Sequence, residues 1–305
     1  MKNLIVARCK EGHYAPFISE QVEALVKLGV GCRFLGIRHK GLVGYLRQLP
    51  ELMRVIRSFQ PDIIHAHYGL CGVFANFQRR VPVVTTFHGS DINDARVRPL
   101  SRIALRLSAF SIFVSRKTLE LACPKNHFDL IPCGINLNDY PITDKADARD
   151  KMGLSKEKKY VLFAGSFENP IKNASLAKSA VNLLPGAELL PLQGYTRSQV
   201  ALMMQAADVM MMTSITEGSP QVIKEAMACG CPIVSVDVGD VRERIEGLDG
   251  CYIADRDPKD LAEKLSGALS FGKRTKGRDL IASSGLTNEY VAQRIVSVYK
   301  EILSR

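Results

Sequence analysis

Asp208-Val209-Met210-Met211-Met212-Thr213-Ser214-Ile215-Thr216-Glu217-Gly218-Ser219-Pro220-Gln221-Val222-Ile223-Lys224-Glu225-Ala226-Met227-Ala228-Cys229-Gly230-Cys231-Pro232 is the stretch from which the fold of this 305-residue chain is read. Its apolar opening predicts a buried strand running into a loop that holds Glu217 and Gly218. Ser219 is placed to cap the helix that follows, and Pro220 suits a first helical position, where no amide hydrogen is needed. Gly230 then ends the helix in the left-handed conformation that other residues avoid. A helix N-terminus offers free amide hydrogens and about half a positive charge, which suits a phosphate. Glu217 and Glu225 can accept hydrogen bonds from vicinal hydroxyls, and at this spacing two carboxylates can hold two sugar rings on either side of a pyrophosphate. Two glutamates alone are ordinary solvated surface. The serine, glycine and proline around this pair favour the binding reading.

Outward from that stretch, short apolar runs alternate with helical patterns along the whole chain. The first half has Leu4–Ala7, Arg33–Ile37, Asp62–His67, Val83–Phe87, Ser111–Ser115 and Phe128–Ile131. The second has Tyr160–Ala164, Glu188–Leu192, Asp208–Thr213, Ile233–Asp237 and Cys251–Ala254. Such alternation predicts the α/β class: two Rossmann-like, doubly wound parallel-sheet domains facing a cleft at the carboxyl ends of their strands. The expected division is residues 1–142, residues 143–286 and a C-terminal helix over 287–305 that packs back toward the N-terminal domain. The break is expected in the polar stretch from Pro141 to Leu154, and the last helix shows Tyr290, Ile295, Val298 and Ile302 on its apolar side.

The E-x7-E spacing of Glu217 and Glu225, followed by Ala226-Met227-Ala228-Cys229-Gly230-x-Pro232, resembles the large retaining glycosyltransferase family with the two-domain GT-B architecture, the family 4-like, group 1 transferases. The resemblance covers nearly the whole chain. It implies a donor that is a UDP- or GDP-linked hexose, with no cofactor and no metal. It implies Glu225 on the donor ribose and Glu217 on the donor sugar, with the backbone amides of Gly218 and Ser219 beside it. Pro220, Ser214, Gly194 and Tyr195 fall on the same donor side. A second family motif is a Gly-Arg followed by a Lys. Here the loop reads Gly165-Ser166-Phe167-Glu168-Asn169-Pro170-Ile171-Lys172-Asn173, so Lys172 matches while Ser166 stands where the Arg usually is. Leaving-group stabilisation is then expected to lean on Lys172 and the helix N-terminus. Asp255-Arg256-Asp257 has the letters of a metal-binding Asp-x-Asp, yet it leads into Pro258 and reads as a helix cap.

Three sites in the first half sit at strand ends. Gly12, in Lys10-Glu11-Gly12-His13, follows the first strand, where a small residue lets the backbone approach the donor, in a loop shorter than the family's glycine-rich one. Asp62-Ile63-Ile64-His65-Ala66-His67-Tyr68-Gly69 ends in polar residues, with His65 expected to be structural and His67 at the mouth, open to an acceptor role. His88 follows the run Val83–Phe87, and by the resemblance it touches the transferred sugar near the reacting carbon. Asp91 orients the acceptor or its loop, or else caps the segment that begins at Ile92. His67 and His88 have no third partner at metal spacing. The implied chemistry is retention by front-side attack, with His88, Glu217 and Lys172 as the catalytic set.

Composition bounds the rest. Hydrophobic residues at 46% and charged residues at 24% allow two full cores. No apolar run approaches the ~20 residues of a membrane span. The N-terminus reaches Arg8 too soon for a signal peptide and reads as a buried strand. The eight cysteines are scattered without a C-x-x-C pair, which predicts reduced thiols and a cytoplasmic protein. Of the net charge of +10, residues 1–142 carry 19 Lys/Arg against 10 Asp/Glu, leaving 22 against 21 for the remainder. The first half therefore faces something anionic. Arg98, Arg102 and Arg106 punctuate a helical segment with Leu100, Ile103 and Leu107, a basic amphipathic pattern suited to an anionic membrane surface or to plain solvent. The expected partners are a nucleotide-sugar donor and a glycan or lipid-linked acceptor in cell-surface polysaccharide synthesis, with peripheral contact at the inner membrane face. A nucleotide-sugar epimerase of the same fold is the nearest alternative. A basic nucleic-acid-binding protein is the alternative from another class, but without Trp it lacks aromatic stacking surfaces, and no nucleic acid is expected.

Overall fold

Every apolar run becomes a strand, and each strand joins one of two all-parallel sheets in the computed structural model, which describes residues 1–38 and 41–305. The chain divides into one unit of Met1–Gly134 with Asn288–Arg305, and another of Ile135–Thr287. In the first unit the strands are Lys2–Arg8 (β1), Gly31–Ile37 (β2), Ile63–His67 (β3), Val83–Phe87 (β4), Phe110–Phe113 (β5) and Phe128–Leu130 (β6), in the order β2-β1-β3-β4-β5-β6. In the second they are Lys159–Phe163 (β7), Ala187–Pro191 (β8), Val209–Met212 (β9), Ile233–Val236 (β10) and Tyr252–Ala254 (β11), in the order β11-β10-β9-β7-β8.

Parallel strands covered by helices on both faces read as near-continuous apolar runs, and Leu4–Ala7 of β1 shows it. Leu4 and Val6 pack with Leu52 and Phe74 on one face, while Ile5 and Ala7 meet Ile18 and Val22 on the other. The second sheet repeats the rule: Val161, Phe163 and Met211 face Ala177 and Leu265, and Leu162, Met210 and Met212 face Met204 and Ile223. Each fully buried Leu, Ile, Met or Phe contributes about 1.5–3 kcal/mol.

In each sheet the chain leaves its first strand on one side and returns on the other. The order therefore reverses between β1 and β3, and again between β7 and β9. The carboxyl ends of strands at such a reversal open a crevice, where ligands bind in folds of this kind.

The structure divides at Gly134 and Ile135, inside the residues expected as a single domain to 142. The polar stretch from Pro141 to Leu154 is built into the second unit. Asp144 caps the helix Lys145–Met152 by accepting from the Ala146 amide at 2.7 Å. Arg149, 4% exposed, donates to the Ala206 carbonyl at 3.0 Å and to Asp208 Oδ2 at 2.9 Å. A polar stretch here marks a buried ion pair, where a linker was expected. The last helix, Asn288–Leu303, belongs to the first unit and buries Val291, Ala292, Ile295, Val298, Tyr299 and Ile302. Tyr290, expected on that apolar side, is 49% exposed, one residue away from the stripe.

Candidate functional site

In the second unit, the loops after β7 and β9 meet at the point of reversal. Asn169 caps a short 3-10 turn, Pro170–Lys172, by accepting from the Ile171 amide at 3.1 Å. Thr213, just past β9, donates its hydroxyl to the Lys172 carbonyl at 2.8 Å, and the Ile215 amide donates to the Ile171 carbonyl at 2.8 Å. These bonds stitch the two loops together. Lys172 Nζ then lies 2.7 Å from Glu217 Oε1, with the two side chains 22% and 19% exposed. Gly165 has φ +150°, and a Cβ there would stand 3.0 Å from Lys172 Cγ, so glycine leaves room for the lysine stem. Ser166, where an Arg was expected by resemblance, accepts from the Glu168 amide at 3.1 Å and adds no charge.

The helix Gln221–Ala228 begins beside this loop, and Glu225 is half-buried on its second turn. Ser219 does not cap it: Pro220 is the N-cap residue and no side chain closes the end. The Ser219 hydroxyl instead donates to Asp240 Oδ2 at 2.8 Å and accepts from the buried Lys224 ammonium at 2.8 Å. Asp240, 1% exposed, also accepts from Arg244 Nε at 2.8 Å. A charged network outbids a helix amide for a serine oxygen, because charge-assisted bonds are roughly twice as strong. Gly218 packs so closely that a Cβ on Gly239 would stand 2.4 Å from its carbonyl oxygen. Gly230 has φ +64° after the helix, as its position requires.

Ser214, expected on the donor side, is wholly buried. Its carbonyl accepts from Arg256 Nη2 at 2.8 Å, so the residue anchors the loop from behind. Asp257 caps the helix Pro258–Phe271 through the Lys259 and Asp260 amides, at 2.9 and 3.1 Å. Gly194 and Tyr195 lie exposed in the loop after β8, Gly194 with φ +78°.

In the first unit, three histidines form a stacked column from the core to the end of the sheet. His65 is fully buried between the Tyr299 hydroxyl, 2.5 Å from Nδ1, and Thr86 Oγ1, 2.7 Å from Nε2. Burial first, then the neighbouring imidazoles, hold its pKa well below the usual histidine value. His67 Nδ1 lies 3.0 Å from His88 Nε2, and burial lowers the His67 pKa to about 3. His67 is 0% exposed, so its place is beneath His88, whereas the sequence put it at the mouth. His88 is half-buried, with Cys133 Sγ 3.7 Å from its Nδ1 and the Phe17 and Tyr68 rings 4.9 and 4.7 Å away.

Asp91 does not cap a helix beginning at Ile92. It lies inside the short helix Ser90–Asn93 and accepts from the Gly69, His88 and Gly89 amides at 2.9, 3.1 and 3.0 Å. It thereby fixes the loops after β3 and β4, including the His88 backbone. Burial raises its pKa to about 6 against the pull of those amides.

Sequence reasoning missed a cavity of about 710 Å³ at the reversal between β1 and β3, lined by Arg8, Lys10, His13, Tyr14, Tyr45 and Tyr68 among others. Its one legible signal was Arg8, the first charge after the five buried residues of β1. Gly12, with φ +86°, sits in the tight Lys10–His13 turn over this region. Of the basic helix, Arg98 is turned inward, donating to the Ile92 and Asn93 carbonyls at 2.7 and 3.1 Å. Arg102 and Arg106 are exposed beside Ile103 and Leu107, themselves 42% and 39% exposed. No helix among the described residues is long and apolar enough to cross a membrane.

Residues 11–139 match the family described as Glycosyltransferase Family 4, and residues 154–270 match that described as Glycosyl transferases group 1. The putative teichuronic acid biosynthesis glycosyltransferase TuaC of Bacillus subtilis is 26% identical over 241 residues, covering 69% of this chain and 62% of that protein. The N-acetyl-alpha-D-glucosaminyl L-malate synthase of Bacillus anthracis is 22% identical, covering 83% and 77%. Among solved structures, sucrose-phosphate synthase from Thermosynechococcus elongatus superposes with a TM-score of 0.82 at 17% identity, covering 99% of each chain. Anabaena HepE in complex with UDP superposes with a TM-score of 0.77 at 18% identity, covering 99% of this chain and 100% of that one.

Proposed function

We propose that this chain, a member of the family 4, group 1 glycosyltransferases with the GT-B fold, is a retaining, metal-independent hexosyltransferase using a nucleotide diphosphate sugar. The observation that carries this reading is the Lys172–Glu217 pair, held 2.7 Å apart at the β7/β9 reversal by loops bonded to each other. An ammonium at the mouth of the sheet supplies the positive charge a departing diphosphate needs, and the neighbouring helix N-terminus supplies amide hydrogens. Glu217 is assigned the donor sugar and Glu225 the ribose, with the Gly218 and Ser219 amides beside them. Gly165, Pro220, Gly194 and Tyr195 complete the donor side, and His88 is assigned the reacting sugar. With the diphosphate oxygen taking the acceptor's proton, the protein's share is positioning and charge stabilisation.

The UDP complex of HepE makes UDP-hexoses the first donors to try, before GDP-hexoses. The name of the TuaC relative supports an acceptor in cell-surface polysaccharide synthesis, a glycan or a lipid-linked sugar. No cofactor takes part. Because Lys172 does the electrostatic work, donor turnover should persist in EDTA. Loss of turnover that magnesium or manganese restores would refute metal independence.

A second element of the reading is peripheral membrane contact, favoured by exposed Arg102 and Arg106 flanking exposed Ile103 and Leu107. Replacing both arginines with Gln should weaken binding to vesicles rich in phosphatidylserine by about 1 kcal/mol per charge. Unchanged vesicle binding would remove the membrane from the account.

A further inference from the structure

The carboxyl ends of β1 and β2 deliver cations side by side. Arg8 closes β1 opposite Ile37, and Arg38 follows directly on β2. The Cys9 amide donates to the Ile37 carbonyl at 3.0 Å, and Lys10 enters a tight turn closed by its own amide and carbonyl with His13, each at 2.9 Å. Arg8 and Lys10 line the 710 Å³ cavity, and the same two residues with Arg38 line an adjoining depression of about 660 Å³. The cavity wall is aromatic, made by Tyr14, Tyr45 and Tyr68. Gly36 makes room for the first of these: a Cβ there would stand 2.8 Å from the Tyr14 hydroxyl.

The carboxylates nearby do not balance those cations. Asp91 accepts three backbone amides. Asp94 is held by Arg96 Nε and Nη2 at 3.1 and 2.9 Å. Glu51 accepts from Gln48 Nε2 at 3.3 Å. Glu11 stands 3.9 Å from Lys10 with both side chains more than 80% exposed, a pair of little strength. Among the described residues, neither Arg8 nor Arg38 forms an ion pair with a carboxylate. Aromatic rings suit the C–H faces of a sugar, and unspent guanidinium groups suit a carboxylate or phosphate, which they can grip through two parallel bonds.

We propose that this cavity is a subsite for a saccharide bearing an oxyanion, a uronate carboxylate or a sugar phosphate, and that Arg8, Lys10 and Arg38 select it. The proposal rests on the reading of the chain as a glycosyltransferase; it places the acceptor on the first unit and names that acceptor's chemical class.

The test is saturation-transfer NMR of the full chain with D-glucuronate, D-glucose 6-phosphate and D-glucose, with inorganic phosphate read as a competitor of each sugar's signal and UDP titrated in parallel. At least one anionic sugar should bind tenfold or more tightly than glucose and than inorganic phosphate. Which of the two does so identifies the oxyanion. The Arg8→Gln, Arg38→Gln double variant should bring that sugar to within about twofold of glucose, with Tm and UDP affinity unchanged, and Arg8→Lys should fall between. Equal binding of charged and neutral sugars overturns the proposal. So does a preference that survives the double variant, or inorganic phosphate binding as tightly as the preferred anionic sugar. If wild type fails to bind any nucleoside diphosphate, the underlying reading fails instead, and the UDP titration separates that outcome from the others.

Discussion

Removing either partner of the Lys172–Glu217 pair should move nucleotide affinity in opposite directions. The ammonium and carboxylate stand 2.7 Å apart, each about one-fifth exposed. At an effective dielectric near 20, unit charges about 4 Å apart attract by about 4 kcal/mol, but desolvation of both groups leaves about 1 kcal/mol net. A diphosphate binding at Lys172 must share the ammonium with Glu217. Glu217→Gln frees it and removes a repelling charge, so UDP should bind about fivefold tighter, the equivalent of that 1 kcal/mol. Lys172→Gln removes a charge-assisted bond worth about 1.5–3 kcal/mol, so UDP should bind about 10- to 150-fold more weakly. Both variants should lose turnover. Isothermal calorimetry with UDP and GDP reads the affinities, and thermal unfolding checks that both variants fold. A merely structural salt bridge would lower Tm in both variants and leave UDP affinity alone; that result, or a shift of the same sign in both, refutes the assignment.

Glu225→Ala should weaken UDP binding by about 1.5–3 kcal/mol for each lost ribose bond, leaving the affinity for inorganic pyrophosphate unchanged; equal loss for both ligands would place Glu225 elsewhere. For Asp91 the folded pKa of about 6 lies above the ordinary 3.8, so the folded state holds a proton that the unfolded chain has lost. Its contribution to stability is full below pH 3.8 and falls as pH rises toward 6, by about 3 kcal/mol in all. Measured across pH 4 to 7 by urea unfolding, the stability of wild type relative to Asp91→Asn should therefore decline with rising pH, and a flat difference would contradict this account of the buried carboxyl.

The strands were legible because a parallel strand covered on both faces is a short, near-continuous apolar run, as Val209–Met212 is. Their ends were less so: Ser115, placed in a strand by its apolar neighbours, caps the helix Arg116–Ala122. Glu217 and Glu225 stood together in one stretch of loop and helix-start residues, whereas Lys172 came only from the family motif, and the fold brings it across 45 positions to 2.7 Å from Glu217. What failed depended on distant partners. Ser219 is claimed by Asp240, 21 residues on, and Arg149 by Asp208, 59 residues on. Arg98 spends its charge on two carbonyls that helical periodicity cannot reveal. The tyrosine-lined cavity draws on four separate segments, and only the order of the strands brings Arg8, Tyr14, Tyr45 and Tyr68 together.

The central claim, retaining transfer from a nucleotide sugar, is tested most directly by following UDP-glucose and then GDP-hexoses by proton NMR, with the chain and a panel of neutral and anionic sugar acceptors. The anomeric coupling of the first-formed product is read before any equilibration. The account predicts a product with the anomeric configuration of the donor, formed together with free UDP or GDP. A product of inverted configuration would contradict it, as would transfer from a sugar 1-phosphate with no nucleotide released.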